Sequence, residues 1–306
     1  MQRLLIIYNP HSSRYIDVEK EVLSQARHLK GYALGKFTIK KAPFETNVAS
    51  IKKILRDGDI VIAAGGDATA AVTANAIMES DKTITFGVLP YGNFNDLART
   101  LGAKSLDDFK LSEHKGSLKT SKLYPLEILI DGKHWRYATC YVTIGMTAES
   151  VELFDEPSIR KNLQKGHKSS WRSYIYLMKW YFKNRHKKQF IPDFTLNGVK
   201  QHRKTSDYAA VNGRSMCRVM KGGYDYRVPK KFRSMTDRLT NFWRLFKLMT
   251  KSILSRTPGL ETTGDKIEFL EPAKVSLQAE GEYHTFKDIK KIEIRKADKC
   301  LHTLEH

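Results

Sequence analysis

Ala63-Ala64-Gly65-Gly66-Asp67-Ala68-Thr69 is the stretch best suited to hold a phosphate group. An apolar run at residues 60–63 precedes it and reads as a short buried strand. The alanine-rich residues 69–78 that follow read as a helix. Two glycines at such a junction let the backbone approach an anion, and the helix's first N–H groups and positive dipole end then face it. Asp67 has three candidate tasks there: coordinating a magnesium ion, holding a ribose hydroxyl, or orienting the attacking group. Short glycine turns also occur where nothing binds, so the turn needs a second motif beside it.

The elements around it supply positions for one. Residues 3–8 are strand-like and run into the small polar turn Asn9-Pro10-His11-Ser12-Ser13. Residues 16–29 carry apolar side chains at helical spacing, with Gly31 as a stop. Residues 37–39 make a short strand, and residues 46–55 a helix with Thr46 as cap and Asp57-Gly58-Asp59 as the following turn. A fourth strand, residues 83–89, ends at Pro90-Tyr91-Gly92-Asn93-Phe94-Asn95-Asp96-Leu97-Ala98-Arg99. Strands alternating with helices imply a parallel sheet whose ligands sit at the carboxyl ends of the strands. The loops after Tyr8, Ala64 and Leu89 therefore fall on one edge.

From about residue 118 the pattern changes to alternating segments: 126–130, 135–144, 208–211, 266–269, 274–279 and 289–294. Asp131-Gly132 is a hairpin signal between two of them. The expected architecture is an α/β N-terminal domain with a parallel sheet, residues 1–118, and a C-terminal antiparallel β-sandwich domain with helical insertions, residues 119–303. Leu304-Glu305-His306 reads as the remnant of an expression tag.

With 306 residues and 41% hydrophobic content, the chain can build two sizeable cores. The apolar runs are too short to span a bilayer. Residues 1–10 read as a first strand, not a signal peptide, and Cys140, Cys217 and Cys300 lack metal-ligand spacing, which fits a reducing cytoplasm. Lys and Arg number 53 against 33 Asp and Glu, a net charge of +20. So basic a surface implies an anionic partner. Two segments combine that charge with aromatic side chains. Residues 171–182 hold Trp171, Tyr174, Ile175, Met178, Tyr181 and Phe182 on one helical face, followed by Lys183, Arg185, Lys187 and Lys188. Residues 239–254 interleave Phe242, Trp243, Leu245, Phe246, Met249 and Ile253 with Arg244, Lys247 and Lys251. Each suits a membrane interface, or equally a core helix with a solvated basic edge.

Asn9-Pro10, Gly65-Gly66-Asp67-Ala68-Thr69 and Pro90-Tyr91-Gly92-Asn93-Phe94-Asn95-Asp96-Leu97-Ala98-Arg99, in this order on successive strands, resemble the motifs of the diacylglycerol kinase catalytic-domain family of soluble bacterial lipid kinases. Sphingosine kinases and, more distantly, NAD kinases share that superfamily. Residues 142–151, Val211-Asn212-Gly213-Arg214 and Gln278-Ala279-Glu280-Gly281-Glu282 extend the resemblance over most of the chain. It implies ATP and Mg²⁺ as cofactors, and a lipid hydroxyl of diacylglycerol type as acceptor. Asn9, Pro10, Gly65, Gly66, Thr69, Gly92, Asn93 and Asn95 would hold the nucleotide, with Thr69 donating its hydroxyl. Asp67, Asp96 and Glu282 would be catalytic, Glu282 as the general base, and Asp67, Asp96 and Asp237 would be metal-binding. Arg99 would pair with phosphate or form a helix-surface salt bridge.

The sequence departs from the family pattern at several places. Ala68 and Asn93 replace a glycine and a threonine, and Glu280 an aspartate. If position 68 needed a positive φ, the alanine would cost about 1 kcal/mol. Residues 237–242 align with the family's structural Mg²⁺ segment, but Arg238 and Asn241 stand where it has glycine and aspartate. The expected partners are a lipid substrate and an anionic membrane surface, at the cytoplasmic face and held peripherally. Nucleic acid is not expected, because no reading module is present, and a homodimer is left open. NAD kinase fits less well, since Asn95 precedes Asp96 where that family has an Asn-Glu pair. A lipid- or nucleotide-binding protein whose catalysis has weakened is the other alternative.

Overall fold

The computed structural model describes residues 1–306 except 13, 93–94, 112–117, 157, 160–168, 185–189, 202–204, 217–219, 222–223, 239–242, 245, 248–249 and 251–258. The chain divides into two compact units, Met1–Pro125 with Tyr226–Pro229 and Ala297–His306, and Leu126–Asp225 with Lys230–Lys296.

The first unit alternates strands and helices. In order they are β1 (Gln2–Tyr8), α1 (Tyr15–Asp17), a π-helical turn (Val18–Leu23), α2 (Ser24–His28), β2 (Tyr32–Thr38), α3 (Phe44–Ile54), β3 (Ile60–Gly65), α4 (Asp67–Met78), β4 (Thr85–Pro90), α5 (Asp96–Leu101) and β5 (Thr120–Leu123). All of β3 is buried, which is why its residues form an unbroken apolar run without alternation. Residues 69–78 of α4 are buried on every side, as their alanine-rich, all-round apolar composition demands. The helix expected from Thr46 starts earlier, at Phe44, because Pro43 presets the entry. Thr46 is not its cap. Asn47 instead binds back to the preceding loop, accepting the Lys40 N–H and donating to the Lys40 and Ala42 carbonyls.

The second unit is built from β6 (Leu126–Ile130), β7 (Lys133–Ala138), β8 (Tyr141–Gly145), α6 (Met146–Asp155), α7 (Ser169–Asn184), β9 (Phe194–Leu196), β10 (Val199–Lys200), β11 (Asp207–Val211), β12 (Ser215–Met216), β13 (Met220–Lys221), β14 (Phe232–Asp237), β15 (Leu260–Thr262), β16 (Gly264–Ala279) and β17 (Glu282–Lys296). Its main sheet is antiparallel, with the order β15-β14-β11-β8-β16-β17-β6-β7, and β9 joins it through β16. Residues 264–279, expected as two strands, run as one. Pro272, which cannot donate to a ladder, falls within the register shift between Glu268 and Ala273. Two-residue hairpins join three strand pairs: Asp131-Gly132, Asn197-Gly198 and Glu280-Gly281 all have positive φ at both positions, the turn that matches strand twist.

The chain then returns to the first unit. β18 (Leu301–Leu304) pairs parallel with β4 and antiparallel with β5, completing a mostly parallel sheet of order β2-β1-β3-β4-β18-β5. The expected boundaries at 118 and 303 are corrected accordingly: β5 and the last ten residues belong to the first unit. Leu304-Glu305-His306 is not an appendage either. Leu304 is 3% exposed in the first unit's core, and the Glu305 N–H donates to the Lys119 carbonyl. Among the described residues no helix is long and apolar enough to cross a membrane.

Candidate active site

Three loops leave the first unit's sheet at one level. β1, β3 and β4 are parallel neighbours, with Tyr8 paired to Ala64, Ala64 to Leu89 and Gly65 to Pro90. The Asn9-Pro10 loop, the Gly65-Gly66-Asp67 turn and the loop after Pro90 therefore start side by side on the carboxyl edge, where open α/β sheets bind ligands. The Asn9 loop is a tight turn: Asn9 Oδ1 accepts the His11 N–H at 2.9 Å, and its carbonyl accepts the Ser12 N–H at 3.0 Å.

Asp67 joins the second loop to the third. One of its carboxylate oxygens accepts the Asn95 N–H at 2.9 Å and the other the Asp96 N–H at 2.6 Å. It thereby caps α5 from outside, the job an N-cap side chain would do, since α5 has none of its own. Asn95 sits in the left-handed region at φ 57°, a conformation asparagine tolerates, and its side-chain amide brackets Gly92 by accepting the N–H at 2.8 Å and donating to the carbonyl at 2.7 Å. A Cβ on Gly92 would lie 2.1 Å from the Gly66 Cα, so glycine at position 92 lets the two loops touch. A Cβ on Gly65 would lie 2.4 Å from Thr69 Oγ1. Thr69 is 2% exposed, and its hydroxyl lies directly against Gly65 at the turn. Asn93 lies outside the described residues.

Asp96 is 1% exposed and lies 3.7 Å from the Arg99 guanidinium, so Arg99 makes the ion pair along α5. Ala68 is exposed in the first turn of α4 and is absent from the residues with positive φ, so the strain expected there does not arise. α4 opens on Gly66 with no side chain capping its first N–H groups, which leaves that end suited to an anion. Sequence reasoning missed Arg14. Its guanidinium lies 5.1 Å above the Tyr91 ring and 3.5 Å from the Pro90 carbonyl, at the mouth of the same loops. Tyr91 donates to Glu21 at 2.7 Å, and burial together with that carboxylate pushes its hydroxyl well up. An arginine in the polar turn after β1 was the only signal available.

In the second unit, Glu282 is half-buried at the start of β17, just after the Glu280-Gly281 turn. Glu280, at φ 55°, turns its carboxylate inward to accept the Thr139 hydroxyl at 2.7 Å and the Cys140 N–H. Asn212 binds the same bend from the other side, donating to the Thr139 carbonyl at 2.8 Å. Glu280 therefore anchors the turn that presents Glu282. Asp237 ends β14, and β11, β8 and β16 lie between it and β17 in the sheet. At about 4.8 Å per strand this separates Asp237 from Glu282 by roughly 19 Å. They are two places, not one. Asp237 pairs in register with Asp207. Burial raises the Asp207 carboxyl to about 7 and the Asp237 charge adds to this, while the Thr147 hydroxyl and N–H oppose it. Asn241 lies outside the described residues, and among those described no three His, Cys, Asp or Glu side chains group to hold a metal.

A mostly parallel α/β unit with a loop-clamped glycine turn, followed by an antiparallel sheet unit, defines a class shared with known proteins. Residues 3–123 match the profile of the diacylglycerol kinase catalytic domain. A diacylglycerol kinase of Bacillus subtilis (strain 168) is 36% identical over 116 residues, which are 37% of this chain and 37% of that protein. The match thus spans little more than a third of that relative's length. The solved structure of a diacylglycerol kinase from Bacillus anthracis str. Sterne superposes on 100% of this chain and 97% of its own, with a TM-score of 0.64 at 13% identity. A second solved chain from the same organism reaches 0.70 at 15% identity. These two likenesses establish the fold.

Proposed function

We propose that the chain is an ATP-dependent lipid kinase that transfers the γ-phosphate to a hydroxyl of diacylglycerol or a related lipid at the cytoplasmic membrane face. The observation that carries the reading is the Asp67 clamp, which locks the Gly65-Gly66 turn to the Asn95-Asp96 loop beside the uncapped start of α4. ATP with Mg²⁺, when bound, supplies the phosphoryl group and offsets its charge. The α4 N–H groups would hold phosphate oxygens and Arg14 would add a cation at the loop mouth. Mg²⁺ in such sites uses one or two carboxylates and the phosphates themselves, so the half-buried Asp67 fits as a ligand without a protein cage. Glu282 would take the proton from the lipid hydroxyl, as the family resemblance implies.

An anionic membrane surface suits the second unit's exposed side chains. On α7, Ile175, Lys179, Phe182 and Lys183 are exposed while Tyr181 is buried against Met146 and Phe190. Arg185, Lys187 and Lys188 lie outside the described residues, as do Phe242, Leu245, Met249, Lys251 and Ile253. The weakened-binder alternative is favoured by one fact, the burial of Asp96 beside Arg99. Labelled ATP with diacylglycerol in mixed micelles decides between them. The wild type should form a phosphorylated lipid, and Asp96→Ala should lose turnover by orders of magnitude. No product from any of several lipids would remove the kinase reading.

A further inference from the structure

The end of β14 borders a cavity of about 370 Å³ that the lipid-kinase reading leaves without a task. Its lining is Gln201, Thr205, Thr236, Asp237, Arg238 and Arg244, with no apolar side chain among them. Two arginines and a single carboxylate are among the lining residues. Asp237 is partly satisfied by its own chain, since one oxygen accepts the Arg238 N–H at 2.6 Å. The Arg244 guanidinium donates to the Arg238 carbonyl at 3.4 Å. Arginine, threonine and glutamine side chains lining one space offer donors that match the oxygens of a phosphate group. A hard cation would find only one carboxylate there, too few ligands for a protein-held site.

The surroundings indicate where the phosphate comes from. Trp243 and Phe246, beside Arg244, are 73% and 51% exposed, and their rings meet edge-on at 6.2 Å. Lys247 is exposed next to them. An exposed aromatic pair flanked by cations belongs at a bilayer interface, where rings sit among headgroups and cations meet anionic lipid. The chain's charge of +20 strengthens that attraction.

We propose that the cavity receives the phosphate of an anionic phospholipid headgroup, with Arg238 and Arg244 as its cationic contacts and Trp243 and Phe246 entering the interface beside it. This rests on the membrane reading above. It adds a headgroup site to what would otherwise be diffuse attraction.

Co-sedimentation of the full chain with vesicles of phosphatidylcholine alone, and of phosphatidylcholine with phosphatidylglycerol, tests it. The variants are Arg244→Gln, Arg238→Gln and Lys247→Gln, each checked for an unchanged melting curve. Losing one surface cation should cost about fivefold in binding, the expectation for Lys247→Gln. Losing a guanidinium that contacts phosphate should cost at least tenfold, the expectation for both arginine variants. Equal losses in all three variants would overturn the headgroup site while leaving membrane attraction intact. Wild-type binding that ignores phosphatidylglycerol would remove the membrane reading and this site with it. In a parallel arm, ³¹P line broadening by inorganic phosphate should be weak. Tight broadening abolished by Arg244→Gln, with vesicle binding unaffected, would assign the cavity to free phosphate and refute the lipid headgroup.

Discussion

Asp67→Asn tests whether this carboxylate is an architectural clamp as well as a chemical group. In the structure its two oxygens accept two backbone N–H groups, those of Asn95 and Asp96, and the second belongs to a residue that is almost fully buried. Hydrogen bonds to a charged acceptor contribute about 1.5–3 kcal/mol each. Asparagine keeps one acceptor oxygen and turns an amide N–H₂ toward the other donor, so one such bond is lost, about 2 kcal/mol. Asp67→Ala loses both, about 3–6 kcal/mol, less roughly 1 kcal/mol recovered when Asn95 relaxes from its left-handed conformation. At about 2–4 °C per kcal/mol for a unit of this size, Asp67→Asn should melt roughly 4–8 °C below wild type and Asp67→Ala lower still. The assay is thermal unfolding by circular dichroism with nucleotide and magnesium both omitted. A purely chemical Asp67 predicts no shift under those conditions. An Asp67→Asn melting point within about 1 °C of wild type would refute the clamp.

Other substitutions read other parts of the structure. Gly92→Ala must push the two loops apart, since its Cβ would meet the Gly66 Cα, and it should abolish lipid phosphorylation and lower the melting point. Ala68→Gly should destabilise by about 0.5–1 kcal/mol in denaturant titration, because the position is helical; stabilisation would mean that glycine is needed there. The Asp207 carboxyl titrates near 7 when folded and near 3.9 unfolded, so the folded state holds an extra proton between those values and stability falls as pH rises through them. Asp207→Asn should remove up to about 4 kcal/mol of that slope, melting above wild type near pH 8 and converging with it near pH 4. Burial lowers the Lys296 ammonium to about 7, so the unfolded state binds more protons between there and about 10.5 and stability rises with pH across that window. Lys296→Met should melt above wild type near pH 6 and converge toward it near pH 10.

Much of this was legible in the chain. The unbroken apolar run of β3, the alanine-rich α4 and the strand-ending turns mark a parallel α/β unit, because local periodicity reports burial directly. Asp131-Gly132 announced its hairpin for the same reason: only a few residue pairs accept two positive φ angles. The three motif loops were also visible as strand ends. What spacing could not reveal is what their residues do for one another. Gly66 and Gly92 look like phosphate-cradling glycines, yet it is contact between loops 26 positions apart that forbids a side chain at Gly92 and crowds one at Gly66. Asp67 looks like a ligand, yet it is also the cap of α5. Thr69 looks like a donor, and it also sets Gly65 as glycine, because a Cβ there would meet its hydroxyl. The return of residues 301–304 to the first sheet had no local signal, since a four-residue strand is recognised only by the two neighbours that pair with it. Residue types and order determined which chemistry this chain is equipped for. Close approach between distant segments, set by packing and hydrogen bonding that no local pattern encodes, decided which residues are left to perform it and which hold the others in place.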